Sequence, residues 1–320
     1  MKWTKKGKIF DPTQFKLPND CTEFAQSPQT LVFDEHVRIY FSTRKKDPAN
    51  GMYQSFIAYV DFNKELDKIM GVSGKTVIDP GNLGAYDEHG IFPFSPLKHN
   101  NEIKAYLCGW SRRISVPVET SVGLAYSHDN GETFARAGEG PILTSSLREP
   151  VLVGDAFVRV YDDVYHMWYI FGTEWMKGDK DEPPVRVYKI AHATSVDGVT
   201  WNKDEGKQII SDTLNSHECQ ALPTVTRIGN RYHMYFCYRE ATDFRKNSER
   251  GYRLGYAYSD DLVTWTRDNT NSGLDATAGD WDSDMMCYPH IFQCNNKTYL
   301  LYNGNEFGKY GFGLAVLDET

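Results

Sequence analysis

Across 320 residues the chain carries 43 acidic and 35 basic side chains, for a net charge of −8. That balance argues against a nucleic-acid backbone as the main partner, and no segment approaches the roughly 18 consecutive apolar residues that span a bilayer. Aromatic residues reach 14%, an enrichment that favours strands and suits clefts that hold sugar rings.

The N-terminal stretch Met1–Phe10 has lysines but no apolar run behind them, so it does not read as a secretory signal and a cytoplasmic location is expected. The first strand–turn–strand pattern covers Gln26–Arg44, and a short helix is expected near Asn63–Met70. The same hairpin pattern returns at Phe94–Arg112, Gly154–Glu174, Ala221–Glu240 and Cys287–Glu306, with Asn-Asn, Asp-Asp or Gly-Asn at the turns. A second element follows three of them: Ser127–Phe134, Ser195–Trp201 and Ser259–Trp265 each begin Ser-x-Asp and end on an aromatic residue. Serine and aspartate side chains bond nearby amides and hold such turns. Five copies at about 65 residues fill the chain, which predicts an all-β, five-bladed β-propeller with four antiparallel strands per blade. The blades are expected at 22–62, 87–136, 149–203, 217–267 and 283–318, in one unit spanning 1–320. Cys21, Cys108, Cys219, Cys237, Cys287 and Cys294 form no Cys-x-x-Cys pair and are expected as buried free thiols.

The hairpins align on a proline: Pro28, Pro93 or Pro96, Pro223 and Pro289, with Ala156 at this position in blade three. Glu23, Glu88, Glu218 and Asp284 precede the prolines by five residues, and blade three offers Glu149 and Asp155. Arg44, Arg112 and Arg239 follow by sixteen, where blades three and five have Glu174 and Glu306 nearby. The start of a first strand and the end of its antiparallel second strand meet at one edge. These residues should therefore share one face of the disc near its axis, with the Ser-x-Asp turns on the other. A ring of carboxylates suits glycosidic-bond cleavage, in which one acid protonates the leaving oxygen and a second carboxylate activates water or attacks carbon. Glu218 is the expected general acid and Glu23 or Asp284 the base or nucleophile. Glu88 and Asp87 would tune proton affinity and hold hydroxyls. Arg44, Arg112 and Arg239 would bind a carboxylate or phosphate. His89, His217 and His290 fall near the same rim, but their spacing follows the repeat, so neither a metal nor another cofactor is expected. Trp110 and Trp175 are candidates for stacking on a sugar. Against these roles stands a purely structural one, in which the acids cap turns or pair with the arginines.

Repeat, blade number and axial acids together resemble the five-bladed propeller glycosidases of families 32, 43, 62, 68, 117 and 130. His217-Glu218-Cys219 is similar to the Glu-Cys element of family 32, and Arg148-Glu149-Pro150 to its Arg-Asp-Pro element with Glu in place of Asp. No Asn-Asp-Pro-Asn-Gly element is present. The resemblance implies a glycoside hydrolase acting on a carbohydrate that carries a carboxylate or phosphate. The arginines, similar to those of family 130, also allow a phosphorylase. A non-catalytic propeller that binds a glycan or protein, linked to surface polysaccharide assembly, is the reading from another class.

Overall fold

The computed structural model describes residues 1–178 and 182–318. Five four-stranded antiparallel sheets make the five blades of a propeller. Strand β1 (Trp3–Phe10) comes first. Blade one is β2 (Glu23–Val32), β3 (Val37–Lys46), β4 (Tyr53–Phe62) and β5 (Ile69–Val72). Blade two is β6 (Ile91–His99), β7 (Glu102–Arg112), β8 (Val118–Ser127) and β9 (Ala135–Arg136). Blade three is β10 (Val153–Tyr161), β11 (Val164–Met176), β12 (Val185–Ser195) and β13 (Asn202–Lys203). Blade four is β14 (Cys219–Ile228), β15 (Arg231–Arg239), β16 (Arg253–Ser259) and β17 (Thr266–Arg267). Blade five is β18 (Cys287–Cys294), β19 (Lys297–Asn303) and β20 (Phe312–Leu317), and its outer strand is β1. The N-terminal segment, assigned to no blade from sequence, thus closes the ring by covering the open edge of β20, which would otherwise offer unpaired backbone groups.

The expected helix near Asn63–Met70 is instead a turn followed by β5. Leu66 lies at φ 62, and the Asn63 side chain accepts from the Asp67 and Lys68 amides. Asn63 does in blade one what serine and aspartate do elsewhere. In the Ser-x-Asp turns, Ser127, Ser195 and Ser259 accept from backbone amides at 2.8–2.9 Å, and the aspartates bind the amides that follow. Tyr40 and Tyr106 donate to the carbonyls of Gly131 and Gly198 in the next blade's turn, tying neighbours together.

Apolar side chains fill the spaces between sheets. Leu31, Tyr40 and Ile57 of blade one pack with Phe94, Leu107 and Phe134 of blade two. Phe10, Leu301 and Phe312 of blade five pack with Ile39, Phe41 and Val60 of blade one. All six cysteines are buried and free. No helix among the described residues is long and apolar enough to cross a membrane.

Candidate functional site in the axial pocket

Two repeated devices decide which charged residues reach the axis. The first removes most of the acids. Asp87, Glu149, Glu218 and Asp282 lie in the loops that lead into the innermost strands of blades two to five, each essentially inaccessible to solvent. Each is held by a cation on the outermost strand of its own blade: Arg136, Lys203, Arg267 and Lys5. Those four cations share one register, opposite Ala125, Ala193, Ala257 and Ala315 of the third strand. The small alanine lets a long side chain run inward over the sheet. Blade one has Val72 opposite Val60 instead. Glu218 accepts the most hydrogen bonds of these acids. It accepts from the Thr213 and Leu214 amides at 2.9 Å and from Arg267 at 2.5 Å. Burial opposes its ionisation, but the Thr213 amide, Arg267 and Gln220 outweigh burial and hold its pKa below the ordinary value.

The second device is a bulge at the same place in every innermost strand. Two residues there face one on the second strand, between Gln26 and Gln29, Ile91 and Phe94, Gly154 and Phe157, Ala221 and Thr224, and Cys287 and His290. The second bulge residue is Pro28, Pro93, Ala156, Pro223 or Pro289. Proline fits because a bulge needs no ladder amide at that point. The register in blade two is therefore that of Pro93. The first bulge residue takes a left-handed conformation at Ser27, Asp155, Leu222 and Tyr288, with φ 49–55, and Phe92 precedes a cis proline. Bulges re-aim side chains, and Phe92, Asp155 and Tyr288 line an axial pocket of about 680 Å³. Of the five first bulge residues, one is an acid.

Asp155 is 9% exposed. Burial pushes its pKa up to about 7, partly offset by the Arg186 charge and the Leu222 amide. Four arginines share the cavity, Arg44, Arg186, Arg239 and Arg245, together with Lys309 and Glu306. Arg44 lies near the end of β3, Arg239 ends β15 and Arg186 lies at the start of β12; Arg245 stands on the loop after β15. Aromatic residues make much of the remaining wall, including Phe24, Trp110, Tyr252 and Phe307.

The structure brings together Arg44, Arg239, Asp155, Glu306 and Trp110 among the residues singled out from sequence. Glu23 stands at the rim, accepting from Tyr53 at 3.2 Å, with Lys309 at 3.7 Å. The other candidates are not in the pocket wall. Glu218 and Asp87 are consumed in the buried ion pairs. Asp284 is exposed beside Ser283, and Glu88 accepts from the Gly84 amide. Arg112 donates to the Tyr53 carbonyl, and its own amide faces His89, whose ring lies against Trp110. His217 pairs with Glu174 at 3.4 Å beside a separate small cleft. His290 is wholly buried one residue past the Pro289 bulge, bonded to Thr30. Trp175 lies against Arg186 at 5.9 Å. Arg186 and Arg245 escaped the sequence reading because neither sits at a repeating position. Asp155 was visible as an acid beside the missing proline of blade three.

No family model matches the chain. Its fold is shared with solved five-bladed propellers at low sequence identity. A structure titled "Glycoside hydrolase" superposes with a TM-score of 0.72 and 15% identity, covering 99% of this chain and 93% of its own length. The β-1,2-mannobiose phosphorylase of Listeria innocua gives 0.67 and 13% over 98% and 96%. The endo-arabinase of Bacteroides thetaiotaomicron VPI-5482 gives 0.62 and 12% over 98% and 99%. Two Mycobacterium tuberculosis proteins, "Uncharacterized protein MT1551" (strain CDC 1551 / Oshkosh) and "Uncharacterized protein Rv1502" (strain ATCC 25618 / H37Rv), are each 31% identical to it over 325 residues, covering 99% of this chain and all of theirs. With that identity from end to end, the chain belongs to the family of MT1551 and Rv1502.

Proposed function

We propose that this protein is a carbohydrate-active enzyme that cleaves a glycosidic bond in the axial pocket, with Asp155 as the proton donor. The observation that carries this reading is the position of Asp155: it is the one acid among the five first bulge residues of the innermost strands, buried on a wall built largely of aromatic rings. A carboxyl that keeps its proton near neutrality can deliver it to a leaving oxygen. Glu306, the other carboxylate of the wall, and Glu23 at the rim are the candidates to activate water on the sugar's other side. The arginines suit a substrate with an anionic group. Support from outside the chain is the fold it shares with an endo-arabinase and a mannobiose phosphorylase.

The test is a panel of neutral, uronate and phosphorylated oligosaccharides, incubated with wild type and Asp155→Asn and read by chromatography of the products. Wild type should cleave at least one, and the variant should lose about 10²-fold or more in rate while still unfolding in one cooperative transition. An Asp155→Asn variant with full turnover would refute the assignment.

A second reading, a propeller that binds an anionic glycan without cleaving it, is favoured by one observation. Asp87, Glu149, Glu218 and Asp282 are all neutralised by cations, which leaves few free carboxylates at the axis. Binding of a glycan without turnover, unchanged in Asp155→Asn, would select it.

A further inference from the structure

Arginines in this fold follow two regimes. Arg136 and Arg267 each meet a buried carboxylate at 2.5 Å. Among the described residues, Arg44, Arg186, Arg239 and Arg245 have no carboxylate within ion-pairing distance. Their guanidinium groups are carried on aromatic faces instead. Arg44 lies 5.7 Å from the ring of Phe24 and 5.5 Å from that of Phe92. Arg239 and Arg245 lie 3.5 Å and 4.7 Å from the ring of Phe244, and Arg245 is also 5.0 Å from Phe307. Arg186 is 5.8 Å from Tyr188.

A ring face attracts a cation without cancelling its charge. The cluster therefore keeps its charge for something else. The groups also oppose one another. Burial lowers the proton affinity of Arg44, and Arg245 and Arg186 lower it further; burial and then Arg239 do the same to Arg245. Arg239 is 4% exposed, its Nε has no partner, and its other nitrogens are held by the Glu240 and Ala241 carbonyls and the Tyr188 hydroxyl. The buried Nε of Arg44 is also unpartnered. Within the wall, four arginines and Lys309 face Asp155 and Glu306; Lys309 is paired with Glu306 at 3.5 Å, and Asp155, with its pKa pushed up to about 7, is about half protonated at pH 7. A single carboxylate, as on a uronic sugar, would leave most of this charge unmatched.

We infer that the arginine cluster is a built phosphate site, and that the natural ligand presents a doubly charged phosphate group beside a sugar ring. A phosphate near neutral pH carries about two negative charges and three acceptor oxygens, and guanidinium forks match them bidentately. The aromatic wall shares the cavity with the arginines, so ring and anion bind side by side. The inference rests on the axial pocket being the ligand site of the proposed function, but it does not require turnover.

The experiment is calorimetric titration of the full chain with glucose 6-phosphate, glucose 1-phosphate, inorganic phosphate, glucuronate and glucose, at one ionic strength. Phosphate-bearing probes should bind at least tenfold tighter than glucuronate, and Arg245→Gln and Arg44→Gln should each weaken them by about tenfold or more. Arg245 stands on the loop after β15, outside every strand pairing, so its replacement should leave folding intact, which the thermal unfolding of the variant verifies. A sugar phosphate that outbinds inorganic phosphate assigns the group to the sugar; equal binding assigns a separate phosphate ion. Glucuronate binding as tightly as the phosphates, no phosphate binding at millimolar concentration, or wild-type affinity in both variants would overturn the inference. Cleavage is judged separately, by Asp155→Asn turnover, so the two ideas fail independently.

Discussion

Asp155 and Glu218 are both buried carboxyl groups near the inner edge of a blade, and their neighbours give them opposite chemistry. Glu218 has two backbone amides and Arg267 around it and stays ionised; Asp155 has mainly desolvation and takes up a proton near pH 7. If the protonated form of Asp155 is the active one, kcat/KM should be level below about pH 7 and fall above it, about tenfold per pH unit. The stability profile moves with the same group. Its folded pKa lies above the unfolded value of about 3.9, so its stabilising contribution is complete below that value and is lost as pH rises to about 7. Asp155→Asn should therefore gain on wild type in denaturant midpoint between about pH 4 and 8; a constant difference across that range would contradict the raised pKa. Glu218→Gln should act through folding. The variant leaves Arg267, whose side chain is 3% exposed, without its counter-charge, at a cost of about 3–5 kcal/mol measurable in chemical unfolding. A stable, inactive Glu218→Gln protein would return Glu218 to a chemical role.

At the scale of elements, the bulges and the ring closure were legible to different degrees. The proline repeat is the imprint of the bulges, because a bulge is where an interior strand tolerates proline. Pro28, Pro223 and Pro289 could be aligned from sequence, and even Ala156 fell in register. The residue just before the proline position lines the pocket at Phe92, Asp155 and Tyr288, and of these the alignment pointed only to Asp155. Of the acids five positions earlier, Glu218 reaches an ion pair and Glu23 the rim, while Glu88 accepts from the Gly84 amide and Asp284 is exposed. Strand β1 was missed because β20, its partner, lies some 300 residues away in a chain whose other pairings are local. Removing residues 1–10 should strip the outer strand from blade five, uncover the β20 edge and remove Phe10, which is buried against Phe41 and Phe312. The truncated chain should show a lower, less cooperative thermal transition or self-association in size-exclusion chromatography. Unfolding identical to wild type would show that the closure contributes nothing.

For the whole molecule, the net charge of −8 and the cationic pocket point in opposite directions. The acidic excess makes the chain as a whole negative, while low-dielectric walls concentrate the arginine field at the mouth of the cavity. Capture of an anionic ligand should weaken as salt is raised from about 0.05 to 0.5 M, because the rim charges are screened over about a Debye length. A neutral sugar should show little change over the same range. Salt-independent binding of the charged ligand would mean that the arginines do not carry recognition.

From the sequence alone came the five-fold repeat, the four-stranded blade, the turns on one face and the acids and arginines on the other, because those properties follow from local periodicity and strand direction. Tertiary structure decided which charges remain free. A carboxylate at a strand start becomes a structural ion pair when an outer strand presents a cation opposite an alanine, as at Arg267 and Ala257, and that register is invisible until the blade is folded. Arg186 and Arg245 come to the axis from positions with no repeat signature, and Asp155 is turned inward by its own left-handed conformation in the bulge. Periodicity places residues at a radius; bulges and cross-blade partners decide where their side chains go and what charge they keep.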